Sequence, residues 1–162
     1  MVRLTLRLRR LADTTGTNVM EAALITPLLL ILTFGIVDFA GMFYVWVALE
    51  NGASVATRFA ITGNDMADPN NVGQNLSRQA AIMKALRDAT PTITIADGDF
   101  TFQFMAPGSS SWQGGTGGPN DVGRVTVQHT WTPLTPILAP FLTNGQLRVS
   151  VDSAMKNESR FQ

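Results

Sequence analysis

The sequence predicts an α+β fold in which a long apolar N-terminal helix precedes a second, amphipathic helix and a small, mainly antiparallel sheet. Residues 22–37 contain no charged side chain. Apolar residues recur at near-helical spacing over residues 75–89, and three later segments alternate apolar and polar residues as strands do. The 162 residues suit one domain plus one additional element, since domains cluster around ~100–150 residues.

Charge and cysteine content exclude several classes of function. The formal net charge is zero, yet residues 1–16 contain four arginines and one aspartate, which leaves the remainder mildly acidic. A nucleic-acid-binding domain is expected to concentrate positive charge instead, so we expect no nucleic-acid partner. The chain has no cysteine, which excludes disulfides, cysteine-ligated zinc and thiol nucleophiles.

The apolar segment is long enough to cross a membrane. Residues 22–48 carry one charge, that of Asp38, and as a helix they extend over roughly 40 Å, against a hydrocarbon core of ~30 Å. Because the arginines precede the segment, we expect the N-terminus in the cytoplasm and the residues after Leu49 outside. Tyr44 and Trp46 fit the outer membrane interface.

Other interpretations of this segment are weaker. A secretory signal peptide also has arginines before an apolar run, but no small-residue cleavage site follows the leucines here, and apolar residues continue beyond Asp38. A buried helix of a soluble protein is the least favoured. Pro27 is expected to kink or loosen the span, and Gly35 and Gly41 offer small surfaces on which another helix packs.

The junction before the span is informative. Gly16 precedes the apolar segment, and Glu21 is the fifth residue after it. A carboxylate near hydrocarbon usually has a partner, because insertion nearer the centre costs ~2.5–3.5 kcal/mol. Cleavage after Gly16 would supply one, the new α-amino group of Thr17. Asn18 and Glu21 also have the spacing of a capping box at a helix start, and the two interpretations are compatible.

With these residues the N-terminal region resembles the TadE-like family, the minor pseudopilins of tight-adherence (Tad, or Flp-type) pili. The shared features are a Gly before the cleavage point, a Glu at the fifth position, a Pro within the span and a Gly-Ile-Val-acid-Phe stretch, here Gly16, Glu21, Pro27 and residues 35–39. The Thr-Pro-Leu-Thr-Pro turn at residues 132–136 and the Met-basic-Asn-Glu ending at residues 155–158 are similar as well. Residues 64–120 carry no resemblance.

The resemblance implies a bacterial inner-membrane protein with a single span, made as a prepilin-like precursor and cleaved between Gly16 and Thr17 by a prepilin peptidase. Its expected partners are the inner membrane, that peptidase, and other pilins and minor pseudopilins. We divide the chain into a basic cytoplasmic leader (1–16), a transmembrane and extended helix (17–61) and a periplasmic or extracellular α+β domain (62–162). Glu21 is implied in peptidase recognition and subunit assembly.

Asp38 lies near the outer edge of the predicted span. A carboxylate there is expected to reach water by snorkelling. The alternative hypothesis is an intersubunit charge contact with a basic residue of a neighbouring chain, for which Arg58 is a candidate.

The outer domain is predicted in some detail. The first helix should continue to about Ile61 and stop at Gly63, and the second should cover residues 75–89. We expect Asp97 and Gly98 to form a hairpin turn between two strands. The apolar residues expected to face the core are Leu76, Ala80, Met83 and Leu86 on the second helix, and Ile93, Ile95, Phe100, Phe102, Phe104, Val125, Val127, Trp131, Leu147, Val149 and Val151 on strands.

No residue pattern favours catalysis. His129, the single histidine, shares a strand face with Trp131 and is expected to be packed, and its partners for a triad or metal site are missing. The glycines of residues 109–121 lack the lysine of a phosphate loop and predict a mobile surface loop. Trp112 within it either contacts a partner or folds back on the sheet. We expect no metal, cofactor, small-molecule substrate or enzymatic activity, with an unprocessed, permanently anchored binding module as the main alternative and an anchored hydrolase as the weaker one.

Overall fold

The computed structural model describes residues 15–159 and has two helices before a four-stranded sheet. Helix α1 covers Thr15–Thr62 and helix α2 covers Arg78–Ala89. The strands are β1 (Phe100–Met105), β2 (Gln113–Gly114), β3 (Val122–Trp131) and β4 (Leu147–Lys156). Their order is β2-β1-β3-β4, and every neighbouring pair is antiparallel. The predicted α+β class is confirmed.

Helix α1 is continuous through Pro27 and ends where the sequence predicts. The backbone of Gly63 has φ of 66°, a left-handed conformation that glycine adopts without steric cost and that commonly follows the last helical turn. Its N–H donates to the Ala60 carbonyl at 3.3 Å. One of the carbonyls left open by the helix end is thereby satisfied.

The core lies where the second half of α1 packs against β3, β4 and α2. Alanines on this part of α1 allow the sheet and the second helix to approach closely, and they share the buried face with Leu49. The buried apolar residues of this cluster are Leu49, Ala53, Ala56, Ala60, Ile82, Leu86, Ile93, Ile95, Phe100, Val125, Val127, Trp131, Val149 and Val151.

Helix α2 begins three residues later than predicted, at Arg78, because Ser77 is its N-cap. The Ser77 hydroxyl accepts the Ala80 N–H at 3.3 Å, which satisfies one of the open N–H groups of the first turn. The prediction of its buried face was correct for Leu86 and partly wrong elsewhere. Ala80 and Leu76 are only half-buried, and the buried residues of the helix are Ala81, Ile82, Ala85 and Leu86.

The strand predicted for Ile93 and Ile95 is wrong, although both side chains are buried as expected. Side chains form hydrogen bonds with the backbone C=O and N–H groups that would otherwise pair with a neighbouring strand. The Arg87 guanidinium donates to the Ile95 carbonyl at 2.8 and 3.0 Å, and the Asp99 carboxylate accepts the Ala96 N–H at 3.0 Å. Asp97 to Asp99 therefore form a short 3-10 turn before β1, in place of the predicted hairpin turn.

The remaining strand predictions are confirmed. Val125, Val127 and Trp131 are buried on β3, Val149 and Val151 are buried on β4, and the Phe100 and Phe102 rings of β1 stack with centroids 6.1 Å apart. His129 is half-buried on β3 opposite Val149, as its packed environment predicts.

The glycine-rich segment contributes a strand that the sequence analysis missed. Gln113 and Gly114 form β2, paired with Phe104 and Gln103 of β1. Trp112 folds back toward the sheet, where the Arg124 guanidinium lies 4.2 Å from the centre of its ring. Two alternating residues are too few to be read as a strand, so no local signal pointed to this edge.

Arg78 connects three parts of the fold. Its guanidinium donates to the Ala60 carbonyl at the end of α1 (2.8 Å) and to the Gly117 carbonyl of the glycine-rich segment (2.9 Å). Burial lowers the pKa of Arg78 from its usual value, and the charge of Asp121 opposes this shift. The start of α2 is thereby held against the end of α1.

Candidate assembly surface on the N-terminal helix

Helix α1 consists of two portions with different surroundings, which we call the lower portion (residues 16–37) and the upper portion (residues 38–62). Within the lower portion every side chain is exposed, and Gly35 alone is half-buried. Large apolar residues there, such as Leu24 and Leu28, are 80% and 68% exposed. At ~1.5 Å per residue the lower portion is about 33 Å long, close to the ~30 Å of a hydrocarbon core. It is a candidate membrane span.

The predicted cleavage point lies within the first turn of α1. The helix begins at Thr15, so Asn18 is inside it, and the capping box predicted for Asn18 and Glu21 is wrong. Gly16 and Thr17 are exposed, and no other atom lies within 4 Å of the position that a Gly16 Cβ would occupy. The bond between them is therefore accessible from outside the helix.

Glu21 is exposed, one helical turn beyond Thr17. The ion pairs among the described residues are Lys84 with Asp88 and Arg87 with Asp97. Within this part of the chain Glu21 thus has no cationic partner, and its carboxylate remains available to a group from another source.

Asp38 is the first buried residue of the upper portion, with no exposed surface. One carboxylate oxygen accepts the Thr135 N–H at 3.0 Å, and the other accepts the Thr135 hydroxyl. The prediction that Asp38 snorkels to water is therefore wrong. The chain returns from β3 past α1 before entering β4, and this return brings Thr135 against the carboxylate.

The glycines and proline of α1 differ in their surroundings. A Cβ on Gly41 would lie 3.5 Å from a Leu134 methyl group and 3.9 Å from the Trp131 ring, so this glycine accommodates residues of the same chain. A Cβ on Gly35 would meet nothing within 4 Å. Pro27 is exposed on the lower portion. The surfaces of Gly35 and Pro27 thus remain open to a neighbouring helix.

Arg58 is exposed near the end of α1. Twenty residues of helix separate it from Asp38, a distance of about 30 Å at ~1.5 Å per residue. A contact between Asp38 and Arg58 of a neighbouring chain would therefore require that chain to be displaced by about this distance along the helix axis. The contact stays a prediction.

An aromatic stripe formed by Phe39, Phe43 and Trp46 was missed by the sequence analysis. The Phe39 and Phe43 ring centroids are 6.5 Å apart, and those of Phe43 and Trp46 are 5.6 Å apart. The three side chains are 43–60% exposed. Their spacing of four and three residues places them on one helix face and was the signal available in the sequence.

Tyr44 faces the folded domain. Its hydroxyl forms a 2.8 Å hydrogen bond with the Thr92 hydroxyl in the segment after α2. Together with the Asp38 and Gly41 contacts, this bond marks where the domain begins along the helix.

The described residues contain no group of three His, Cys, Asp or Glu side chains arranged to hold a metal ion. Comparison with curated proteins and with solved structures finds no match. A family model described as TadE-like protein matches residues 16–58, which cover the lower portion and most of the upper portion of α1. The resemblance to the TadE-like family that the N-terminal residues indicated is thus confirmed over this segment.

Proposed function

We propose that this chain is a minor pseudopilin that takes part in the assembly or structure of a Tad (Flp-type) pilus used for surface adherence. The observation that carries the proposal is the free lower portion of α1, which is apolar on all sides and lies within the segment that is similar to the TadE-like family. It carries Glu21, which has no cationic partner among residues 15–159. A helix that is apolar on all sides is stable only when lipid or other helices cover it.

The first step is maturation. The arginines hold the leader in the cytoplasm, and a membrane aspartic prepilin peptidase hydrolyses the peptide bond between Gly16 and Thr17. This bond lies in the first turn of α1, where unwinding costs little because the first N–H groups of a helix have no intrahelical acceptor. The chemistry belongs to the peptidase, and we propose no enzymatic role, metal or cofactor for the chain itself.

Cleavage supplies a cation for Glu21, which has none in the part of the chain that the structure describes. The new α-amino group of Thr17 has an ordinary pKa of ~7.7–8.0 and is mostly protonated at neutral pH. It pairs with Glu21 of a neighbouring subunit or of the same helix, where residues four apart lie on one face. The pairing removes the cost of an isolated carboxylate near hydrocarbon and selects correctly processed subunits.

Assembly then moves the helix from lipid into a bundle with other pilins. Cleavage before the span leaves the whole apolar helix on the mature protein, and Gly35 offers a place for close helix contact. The aromatic stripe extends this surface into the upper portion. Because the upper portion is packed in the core, movement of the helix carries the domain with it.

The proposal is tested by the mass and N-terminal residue of the protein isolated from its native membranes. The native chain should begin at Thr17, and a Gly16→Arg variant should retain residues 1–16 because arginine blocks the cleavage position. Gly98→Arg is the matched control, since Gly98 is exposed and has space for a side chain. It should be processed normally. An unprocessed native chain would favour the permanently anchored binding module.

A second test separates assembly from processing. Glu21→Gln keeps the shape of the side chain and removes its charge. Because Glu21 is also implied in peptidase recognition, the mass of the variant is measured first, and loss of a mature chain beginning at Thr17 from pilus preparations then isolates the role in assembly. Glu50→Gln, at an exposed position of the upper portion, is the control and should be incorporated normally. Normal incorporation of the Glu21 variant would contradict the role given to this carboxylate.

A further inference from the structure

The segment that connects β3 to β4, residues 132–146, runs back along α1, and we call it the return loop. We propose that the apolar part of the return loop enters the outer leaflet of the membrane beside α1, as a second point of attachment to lipid. The inference rests on the membrane anchoring proposed above. It assigns a lipid-binding role to a part of the chain that lies outside the TadE-like segment.

The first observation is the composition and exposure of the loop. No charged residue occurs between His129 and Arg148. Leu134 is 73% exposed and Phe141 is 84% exposed, although both are large apolar residues in a folded domain. Singly exposed apolar residues are common on proteins, so the position of the loop along α1 decides what covers these side chains.

The second observation is the depth of the loop relative to the span. Leu138 lines one cavity together with residues of α1 from Ile31 to Phe39. Measured from Ala22 at ~1.5 Å per residue, those helix residues lie about 14–26 Å along a hydrocarbon core of ~30 Å. When α1 crosses the membrane from Ala22, Leu138 therefore lies below the outer surface of the hydrocarbon.

The third observation is that several backbone N–H groups of the loop already have partners within the chain. Irregular backbone in hydrocarbon requires partners for its N–H groups. Three residues of the loop are prolines, which have no N–H, and the Thr135 N–H is bound by Asp38. The Phe141 N–H donates to the Leu138 carbonyl at 3.0 Å, and the Leu142 N–H donates to the Ala139 carbonyl at 3.2 Å. Both bonds belong to the short 3-10 helix Ala139–Phe141.

These observations favour lipid over a second copy of the chain as the occupant. Leu138 continues the apolar surface of the candidate span at the level of residues 31–39, so the bilayer that covers α1 there also reaches the loop. The Asp38 contact explains how the arrangement tolerates a carboxylate at this depth, because Thr135 supplies two hydrogen bonds in place of water.

The absence of cysteine allows a direct test with single-cysteine variants of the full chain. A fluorophore sensitive to polarity is attached at Phe141→Cys, at Leu28→Cys in the span and at Val72→Cys, a fully exposed position in the loop after α1. The labelled proteins are placed in vesicles of phosphatidylcholine and phosphatidylglycerol. Quenching is measured with acyl-chain-brominated lipids and with aqueous iodide.

We expect the labels at positions 141 and 28 to lose fluorescence with brominated lipid and to be protected from iodide, and the label at position 72 to behave in the opposite way. Quenching at position 28 but not at 141 would overturn the inference and leave the anchoring intact. Protection of position 141 from iodide without quenching by lipid, lost on dilution of the protein in lipid, would identify a second copy and overturn it too. Absence of quenching by brominated lipid at both position 141 and position 28 would overturn the anchoring together with the inference.

Discussion

The lower and upper portions of α1 belong to one uninterrupted helix, yet they are built for different surroundings. The lower portion presents leucine and isoleucine on all sides and contacts almost nothing, whereas the upper portion buries alanines and Gly52 against the sheet and α2. Large apolar residues suit a fluid lipid phase, while small residues allow rigid elements to approach closely. The two portions of this apolar helix are therefore suited to two different environments, lipid for the lower portion and the protein core for the upper portion.

The largest expected effect comes from truncating the same residue type in the two portions. Leu49 has no exposed surface, so Leu49→Ala should lower the free energy of unfolding of the domain by about 2–5 kcal/mol through lost burial and a residual cavity. Leu28→Ala, at a 68% exposed position, should leave it nearly unchanged. Chemical denaturation in detergent, followed by tryptophan fluorescence, measures both. Equal losses would show that the two portions do not differ as described.

A somewhat smaller effect is expected at the border between the portions. Thr135→Val removes the hydroxyl that donates to Asp38 and should cost about 1.5–3 kcal/mol, the range for hydrogen bonds to charged groups. Thr130→Val, on the exposed side of β3, is the matched control and should change stability by less than about 0.5 kcal/mol. The same denaturation measurement applies. A neutral Thr135 variant would mean that Asp38 finds another donor and that the border is not held by this contact.

Two of the glycines of α1, Gly52 in the upper portion and Gly35 in the lower portion, give the next comparison. A Cβ on Gly52 would lie 2.6 Å from a Thr90 methyl group, so Gly52→Ala should separate α1 from α2 and cost about 1–3 kcal/mol. Gly35→Ala meets no atom within 4 Å and should be neutral or stabilise the helix by about 0.5–1 kcal/mol. Thermal unfolding monitored by circular dichroism distinguishes them. A stabilising Gly52 variant would contradict close packing of the upper portion.

The smallest effect is expected from the hydrogen bond between Tyr44 and Thr92, which is exposed. Tyr44→Phe and Thr92→Val, singly and together, form a double-mutant cycle whose coupling energy should be about 0.5–1 kcal/mol. A coupling of zero would place the start of the domain further along α1, toward Leu49. Urea denaturation of the four proteins supplies the values.

Elements with strong local patterns were predictable, and those that depend on side chains binding backbone were not. The alternation of Val125, Val127 and Trp131 specified β3, because one buried face is enough to define a strand. Ile93 and Ile95 show the same alternation, but the Arg87 side chain donates to the Ile95 carbonyl and the Asp99 carboxylate accepts the Ala96 N–H. No periodicity reveals that competition, because it depends on where a long side chain of another element reaches.

The sequence by itself determined the apolar helix, the Gly16 and Glu21 junction and the fold class, since charge, hydrophobicity and short-range periodicity are local properties of the chain. Tertiary structure alone decided where the helix leaves its exposed surroundings and enters the domain. That border depends on Asp38 meeting Thr135, which is 97 residues away, and on Trp131 and Leu134 packing against Gly41. Contacts of this range arise only when the strands have paired, so the fate of Asp38 is decided by the folded sheet that brings the return loop to it.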